Sequence, residues 1–196
     1  MNGRTLDLIG RSHTPEAITD AFLMARDTGF GWINMDVIAG LPTETALDMG
    51  HTLDCIAKLN PENLTVHTLA LKRSSKLMER LDAYPLPDAA TVERMVELGA
   101  EGASGMGMHP YYMYRQKYMR GNLENVGYAR PGTECIYNVD MMEDTTPIMA
   151  HGAGAMTKCV YDGELRIERV PSPKDIGAYV AKVNTLAEEK RRLFEG

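Results

Sequence analysis

Residues 32–39 are an almost unbroken apolar run of strand length, and a Gly-Leu-Pro turn follows directly at 40–42. A run of this kind, interrupted only by Asn34 and Asp36, is typical of a strand covered on both faces in a parallel α/β sheet or barrel. The turn ends the strand, and Thr43 is a suitable N-cap for the helix that should follow. The segment therefore predicts an α/β fold in which 32–39 is one strand of a larger sheet.

Asp36 is the first candidate site residue. An acidic side chain at the end of an apolar strand, just before a glycine-containing turn, lies where α/β folds build their sites. The alternative is a structural aspartate whose carboxylate accepts hydrogen bonds from loop amides. Residue type and position alone leave both interpretations open.

Composition limits the classes of protein that the chain can belong to. An apolar fraction of 44% in 196 residues is enough for a buried core, and a net charge of −6 argues against a general nucleic-acid or anionic-membrane surface. No apolar run approaches the length of a transmembrane helix, and the first residues lack the pattern of a signal peptide. Three scattered cysteines, Cys55, Cys135 and Cys159, are too few for a disulfide framework. These features indicate a cytoplasmic protein.

A repeating strand and helix pattern extends over the first half of the chain. Helical spacing of apolar residues predicts helices at 14–29, 43–59 and 87–105, and the next strand lies at 64–70. Two strands one βα unit apart imply a parallel pair with a right-handed crossover. His67, on the second strand, is either a ligand-binding residue or a hydrogen-bonded core histidine.

Residues 108–120 are rich in tyrosine and carry basic side chains. In a strand, Tyr112 and Tyr114 share one face, while Arg115 and Lys117 share the other. Aromatic rings beside cations suit a flat, acidic ligand, because rings stack and cations pair with carboxylates. The alternative is a tyrosine-rich strand whose basic residues are solvated.

The pattern changes near residue 121 from long βα units to short strands and turns. Strands are predicted at 125–129, 147–156 and 165–170, and a helix at 173–194 closes the chain. Gly152 and Gly154 are a weak signal for backbone N–H groups that approach an anion. We therefore expect a smaller α+β region after residue 121.

A specific family resemblance rests on several of these motifs. Asn-Met-Asp-Val-Ile-Ala-Gly-Leu-Pro at 34–42, followed by Glu-Thr at 44–45, resembles the barrel motif of the oxygen-independent coproporphyrinogen III oxidases, which are radical S-adenosylmethionine (SAM) enzymes. Further motifs fall at family-like spacing or look like the coproporphyrinogen dehydrogenase (HemZ) subgroup, at 9–11, 59–61, 110–117, 124–131 and 152–155. The resemblance implies an α/β fold: the second half of a radical SAM partial (β/α)6 barrel over 1–120, then a small α+β C-terminal domain over 121–196.

The resemblance also implies an activity for the complete protein. Its cofactors would be SAM and a [4Fe–4S] cluster, and its partner an electron donor such as flavodoxin or ferredoxin. It would oxidatively decarboxylate two propionates of coproporphyrinogen III to vinyl groups. By matching position, Arg11 and Asp36 would hold the methionine and ribose of SAM, and Ala70 would contact the adenine end. Arg115 and Lys117 are candidate contacts for substrate carboxylates.

The chain departs from the family pattern at one point. Radical SAM enzymes hold their cluster on a CxxxCxxC loop, and the three cysteines here lie dozens of residues apart. We therefore expect the C-terminal half of a longer enzyme, inactive by itself. Two alternatives remain, namely a haem-trafficking protein of the same superfamily, with His67, His109 or His151 as axial ligands, and an inert truncation product.

Overall fold

The computed structural model describes residues 1–70, 84–115, 123–161 and 166–195, which form two compact units, Met1–Cys135 and Ile136–Gly196. The described elements of the first unit are α1 (Gly3–Leu8), α2 (Pro15–Asp27), β1 (Asn34–Ala39), α3 (Ala46–Leu59), β2 (Asn63–Thr68), α4 (Ala89–Gly105), β3 (His109–Tyr114) and β4 (Asn125–Ala129). Those of the second unit are α5 (Ile136–Glu143), β5 (Met156–Val160), β6 (Ile167–Pro171) and α6 (Ile176–Glu195). Each helix and strand predicted in the first unit is present, with ends shifted by a few residues.

The first unit is built on a four-stranded sheet in the order β1-β2-β4-β3. β1 and β2 are parallel, with Asn34 opposite Asn63 and Ala39 opposite Thr68. β4 is antiparallel to both of its neighbours. The predicted parallel pair joined by a helix is therefore confirmed, and an antiparallel pair extends the sheet beyond it.

Alternation along the strands separates an apolar face from a polar one. Val37 and Ala39 of β1 and Leu64 and Val66 of β2 are buried in one core with residues of α3 and α4, namely Met49, Leu53, Ile56, Val92, Met95 and Ala103. Asn34, Asp36, Thr65 and His67 occupy the alternate positions of the same two strands. Asn34 and Asp36 are exposed, so the expected cover on both faces of β1 is not seen in the described part of the chain.

The division between the units falls later than the expected boundary near residue 121. β4 pairs with β2 on one side and β3 on the other, so residues 125–129 belong to the first sheet. The chain divides between Cys135 and Ile136 instead. The pattern of short strands and turns predicts a separate region after residue 121, but its first strand, β4, pairs within the first sheet.

The turn after β1 differs from the prediction at the helix cap. Thr43 has a φ of 65° and is not the N-cap of α3. Thr45 is the cap: its hydroxyl accepts a bond from the Asp48 N–H, and the Asp48 carboxylate accepts one from the Thr45 N–H at 2.8 Å. Two threonines two residues apart offer the same capping oxygen, and the reciprocal bond to Asp48 selects the second.

Gly40 is required in this turn. It has a φ of +89°, and a Cβ there would lie 3.2 Å from Val92 Cγ2 of α4. Its N–H also points to Met95 Sδ at 3.3 Å. The turn that follows β1 is thereby packed directly on α4.

The second unit contains the antiparallel pair β5 and β6, against which α6 packs. Most of the strand predicted at 147–156 is absent: Ile148 forms an isolated bridge to Lys158, and Met156 is the first residue of β5. The Gly152 N–H donates a hydrogen bond to Tyr179 Oη at 3.1 Å, and the Gly154 N–H donates one to Pro173 O at 2.8 Å. These donors are used within the unit, so the predicted anion contact is wrong.

Among the described residues, every helix is either too short or too polar to span a lipid bilayer.

Gly50 and Gly99 form a matched pair of helix-interior glycines. A Cβ at Gly99 would lie 2.8 Å from Val66 Cγ2, whereas one at Gly50 would meet nothing within 4 Å. We expect Gly50→Ala to raise the free energy of unfolding by about 0.5–1 kcal/mol, because alanine loses less backbone entropy in a helix. Gly99→Ala should lower it by about 1–3 kcal/mol, because α4 must move away from β2. Urea unfolding measures both changes, and a stabilising Gly99→Ala would contradict the close packing of α4 on β2.

Candidate functional site

A cavity of about 550 Å³ lies in the first unit. Its walls include residues of α1, of β1 and the turn after it, of β2, and of β3 and β4. The three residues assigned by matching position to a SAM site, Arg11, Asp36 and Ala70, all line this cavity. The structure therefore brings together residues that are 59 positions apart in the sequence (70 − 11).

Asp36 lies in the middle of its strand. It is the third of six residues in β1 and is opposite Thr65, so the prediction that it lies at the carboxyl end is wrong. Ala70 lies two residues beyond the last residue of β2. Both line the cavity, which therefore reaches from the polar face of the strands to the segment that follows β2.

The Asp36 carboxylate is held ionised by its neighbours. His67 Nε2 lies 3.7 Å from Oδ2, and Asn34 Nδ2 donates to Oδ1 at 2.7 Å. The interaction with His67, helped by the Asn34 bond, holds the pKa of Asp36 below its ordinary value, although partial burial opposes the shift. The side chain is 61% exposed. It therefore presents a charged acceptor to whatever enters the cavity.

His67 connects Asp36 to the tyrosine-rich strand. Its Nδ1 lies 3.3 Å from Tyr114 Oη, and the two rings meet edge to face with centroids 6.3 Å apart. The His67 side chain is 25% exposed and lines the cavity. This histidine is hydrogen-bonded, as one of the two interpretations predicts, and a ligand-binding role stays a prediction.

Tyr112 and Tyr114 share a face of β3, as predicted. Their rings are parallel within 4°, with centroids 6.2 Å apart. Tyr112 packs over Gly127 of β4, where a Cβ would lie 1.8 Å from the ring. Burial raises the pKa of the Tyr112 hydroxyl. Of the two rings, that of Tyr114 belongs to the cavity wall.

Of the two candidate contacts for substrate carboxylates, the described one, Arg115, is not brought to the cavity. Arg115 Nη2 lies 3.0 Å from Glu124 Oε1, and the Arg115 side chain is about half exposed. It is not among the described residues that line the cavity. Lys117 lies outside the described residues.

Two lining residues were missed by the sequence reasoning. Glu44, considered only as a first-turn residue, is nearly buried, and this burial raises its pKa. Asn125, considered only as the first residue of a strand, is 1% exposed, and its Oδ1 accepts a bond from the Thr68 N–H at 2.7 Å. Neither position carries a local signal of burial, because the elements that cover it are distant in sequence.

The three cysteines do not form a cluster site. Cys55 lies in α3, Cys135 precedes α5 and Cys159 is buried in β5. In the part of the chain that the structure describes, no three or more histidine, cysteine or acidic side chains are grouped as metal ligands. A [4Fe–4S] cluster, which needs converging thiolates, does not fit the described residues. SAM fits better, because the cavity offers both a carboxylate and a guanidinium.

Comparison with known proteins identifies the class of fold. No family model matches the chain. The solved structure of coproporphyrinogen III oxidase (HemN) from Escherichia coli, a radical SAM enzyme, has a TM-score of 0.68 over 94% of this chain and 41% of that chain. At 20% identity this likeness shows the fold alone. The fold is therefore that of part of a radical SAM α/β barrel with a small α+β C-terminal region.

Sequence comparison then defines the family. An oxygen-independent coproporphyrinogen-III oxidase-like protein, HemZ, from Bacillus subtilis is 39% identical over 191 residues, which is 97% of this chain and 38% of that protein. The heme chaperone HemW of Bacillus subtilis is 26% identical over 76% of this chain and 37% of that protein. The chain spans less than half the length of each. It belongs to the oxygen-independent coproporphyrinogen III oxidase-like family and corresponds to the C-terminal half of the HemZ relative.

His67→Phe should raise the pKa of Asp36 toward its ordinary value, because the ring loses the nitrogen that faces the carboxylate. In the wild type, the stability that the depressed pKa contributes is present above the unfolded value of about 3.9. This stability is lost as the pH falls through the pKa of Asp36 in the folded protein. The variant, whose Asp36 pKa is closer to the unfolded value, should lose less stability over the same pH range. A ¹³C carboxyl titration of Asp36 measures the shift. His109→Phe, at an exposed position of β3, is the control, and equal Asp36 pKa values in both variants would contradict this coupling.

Proposed function

We propose that the cavity of the first unit binds the adenosyl part of SAM. One observation carries this proposal: an ionised carboxylate, that of Asp36, lies on the wall of a cavity that Arg11 and Ala70 also line. A volume of about 550 Å³ is in the range of small-molecule sites. The family membership supports SAM as the ligand.

Each of these residues has a role that matches its chemistry. The Asp36 carboxylate accepts hydrogen bonds from the ribose hydroxyls. The Arg11 guanidinium pairs with the methionine carboxylate. The backbone around Ala70, which has a small side chain, lies against the adenine. When bound, SAM supplies the hydrogen-abstracting chemistry of radical SAM enzymes, and these residues orient it.

We further propose that the whole protein is a radical SAM coproporphyrinogen III dehydrogenase, which converts two propionates of its substrate to vinyl groups. The HemZ and HemN relatives, by their names, support this substrate. The cysteine ligands of the cluster would lie in a part of the whole protein that corresponds to the unmatched part of the relatives. The chain by itself should therefore turn over no substrate. Arg115 and Lys117 remain proposed contacts for substrate propionates. For Arg115, a propionate would take the place of the Glu124 carboxylate.

Asp36→Asn should weaken the binding of 5′-deoxyadenosine, a ligand that needs no cluster. We expect a loss of about tenfold or more, because hydrogen bonds to a charged group are worth about 1.5–3 kcal/mol. Ligand-observed NMR titration of the wild-type chain and the variant measures the two dissociation constants. Asp54→Asn, at an exposed position of α3, is the matched control and should bind as the wild type does. Equal affinities of Asp36→Asn and the wild type would contradict the role of Asp36.

A haem-trafficking function is the second candidate. It is favoured by the similarity to the heme chaperone HemW over 76% of this chain. Among the three histidines named as axial ligands, His67 lines the cavity, whereas His109 and His151 are exposed on separate units. His67 is the one of these three that a haem in the cavity would reach.

We expect haem binding, if any is detected, to be independent of His67. Both of its ring nitrogens already face partners, Tyr114 at 3.3 Å and Asp36 at 3.7 Å. Haem titration of the wild type and His67→Ala, followed by the Soret band, should therefore give the same spectra. A Soret shift that disappears in His67→Ala but persists in His109→Ala would favour the haem-trafficking function instead.

A further inference from the structure

Asn125 carries a buried hydrogen-bond donor that has no partner among the residues that the structure describes. The residue is 1% exposed and lines the cavity, and within the described ranges nothing accepts a bond from its Nδ2. Buried amide groups are nearly always satisfied, because an unpaired one loses its hydration without compensation. Among the described residues nothing accepts a bond from this donor, so an acceptor on a ligand in the cavity would satisfy it.

The orientation of the Asn125 amide is fixed by the backbone. The Thr68 N–H can only donate, and it meets the Asn125 side chain at 2.7 Å, so the atom facing it must be Oδ1. The pairing of β4 with β2 and β3 holds the Asn125 backbone, which lies opposite Tyr114. Rotation of the amide would bring Nδ2 against the Thr68 N–H and lose this bond. Nδ2 therefore lies on the side of the amide that faces away from the Thr68 N–H.

The surroundings of this donor select the kind of acceptor. Leu69 and Ala70 follow Thr68 directly, and both line the cavity with apolar side chains. The Asn125 amide is uncharged, and Thr68 and Tyr114 border it together with these apolar side chains, so a neutral, flat acceptor suits it. A ligand carboxylate would pair with the Arg11 guanidinium, and ribose hydroxyls would donate hydrogen bonds to the Asp36 carboxylate. The ring nitrogens of adenine accept hydrogen bonds without donating any, which matches a lone N–H donor.

We propose that Asn125 Nδ2 donates a hydrogen bond to a ring nitrogen of the adenine of the bound adenosyl ligand. This inference rests on the proposed function, since it concerns the same cavity. It assigns the recognition of the base to β4, a strand that the sequence pattern had placed in a different domain. Asn125 thereby becomes a ligand-contacting residue.

The test compares 5′-deoxyadenosine with its 1-deaza, 3-deaza and 7-deaza analogues, each of which lacks one ring acceptor. Titrations are made on the wild-type chain and on Asn125→Leu. Asn125→Asp is added because, when ionised at alkaline pH, it keeps an acceptor for the Thr68 N–H but has no donor. The analogues test the wild type without any change to its fold.

We expect one deaza analogue to bind the wild type about fivefold to tenfold more weakly than the parent compound. Both Asn125 variants should bind the parent more weakly by a similar factor and should no longer discriminate against that analogue. Equal binding of all four ligands by the wild type would overturn the inference. So would a variant that still discriminates against the same analogue.

The outcomes also separate this inference from the proposed function. If Asp36→Asn weakens 5′-deoxyadenosine binding while the Asn125 variants bind as the wild type does, the role of Asn125 is wrong and the adenosyl site stands. If the wild type binds none of the four ligands, the adenosyl site is wrong, and the role of Asn125 is wrong with it.

Discussion

The parallel pairing of β1 with β2 is the constraint on which the first unit depends. Its register sets Val37 opposite Val66 on one face and Asp36 opposite Thr65 on the other. Helices α3 and α4 bury the apolar face. A shift of one residue in either strand would put carboxylate and imidazole groups into that core. The hydrophobic core therefore decides which side chains face the cavity.

The polar face is organised by interactions between strands. Tyr114 of β3, His67 of β2 and Asp36 of β1 follow one another across the sheet, although β4 lies between β2 and β3. This arrangement keeps Asp36 ionised and limits the orientations of its carboxylate. Such preorganisation suits the recognition of neutral hydroxyl groups, because the acceptor needs no rearrangement when the ligand arrives.

The comparisons place this scaffold in a family whose relatives differ in function. HemN is named as an oxidase and HemZ as an oxidase-like protein, whereas HemW is named as a heme chaperone. A shared barrel segment is compatible with both, because a fold does not determine the reaction that a site performs. His67, which lines the cavity, is the residue that we have chosen to distinguish the two functions by experiment.

The sequence by itself determined the local structure and part of the site. Apolar periodicity predicted β1, β2 and the helix between them, and the family resemblance implied, by matching position, Arg11, Asp36 and Ala70, which line one cavity. Only the tertiary structure decided that β4 enters the first sheet and that the buried amide of Asn125 bonds to Thr68, 57 residues away. The physical reason is that periodicity reports which face of an element is buried. The strand that pairs with it, and the partner of a buried polar group, are set by chain segments far away in sequence.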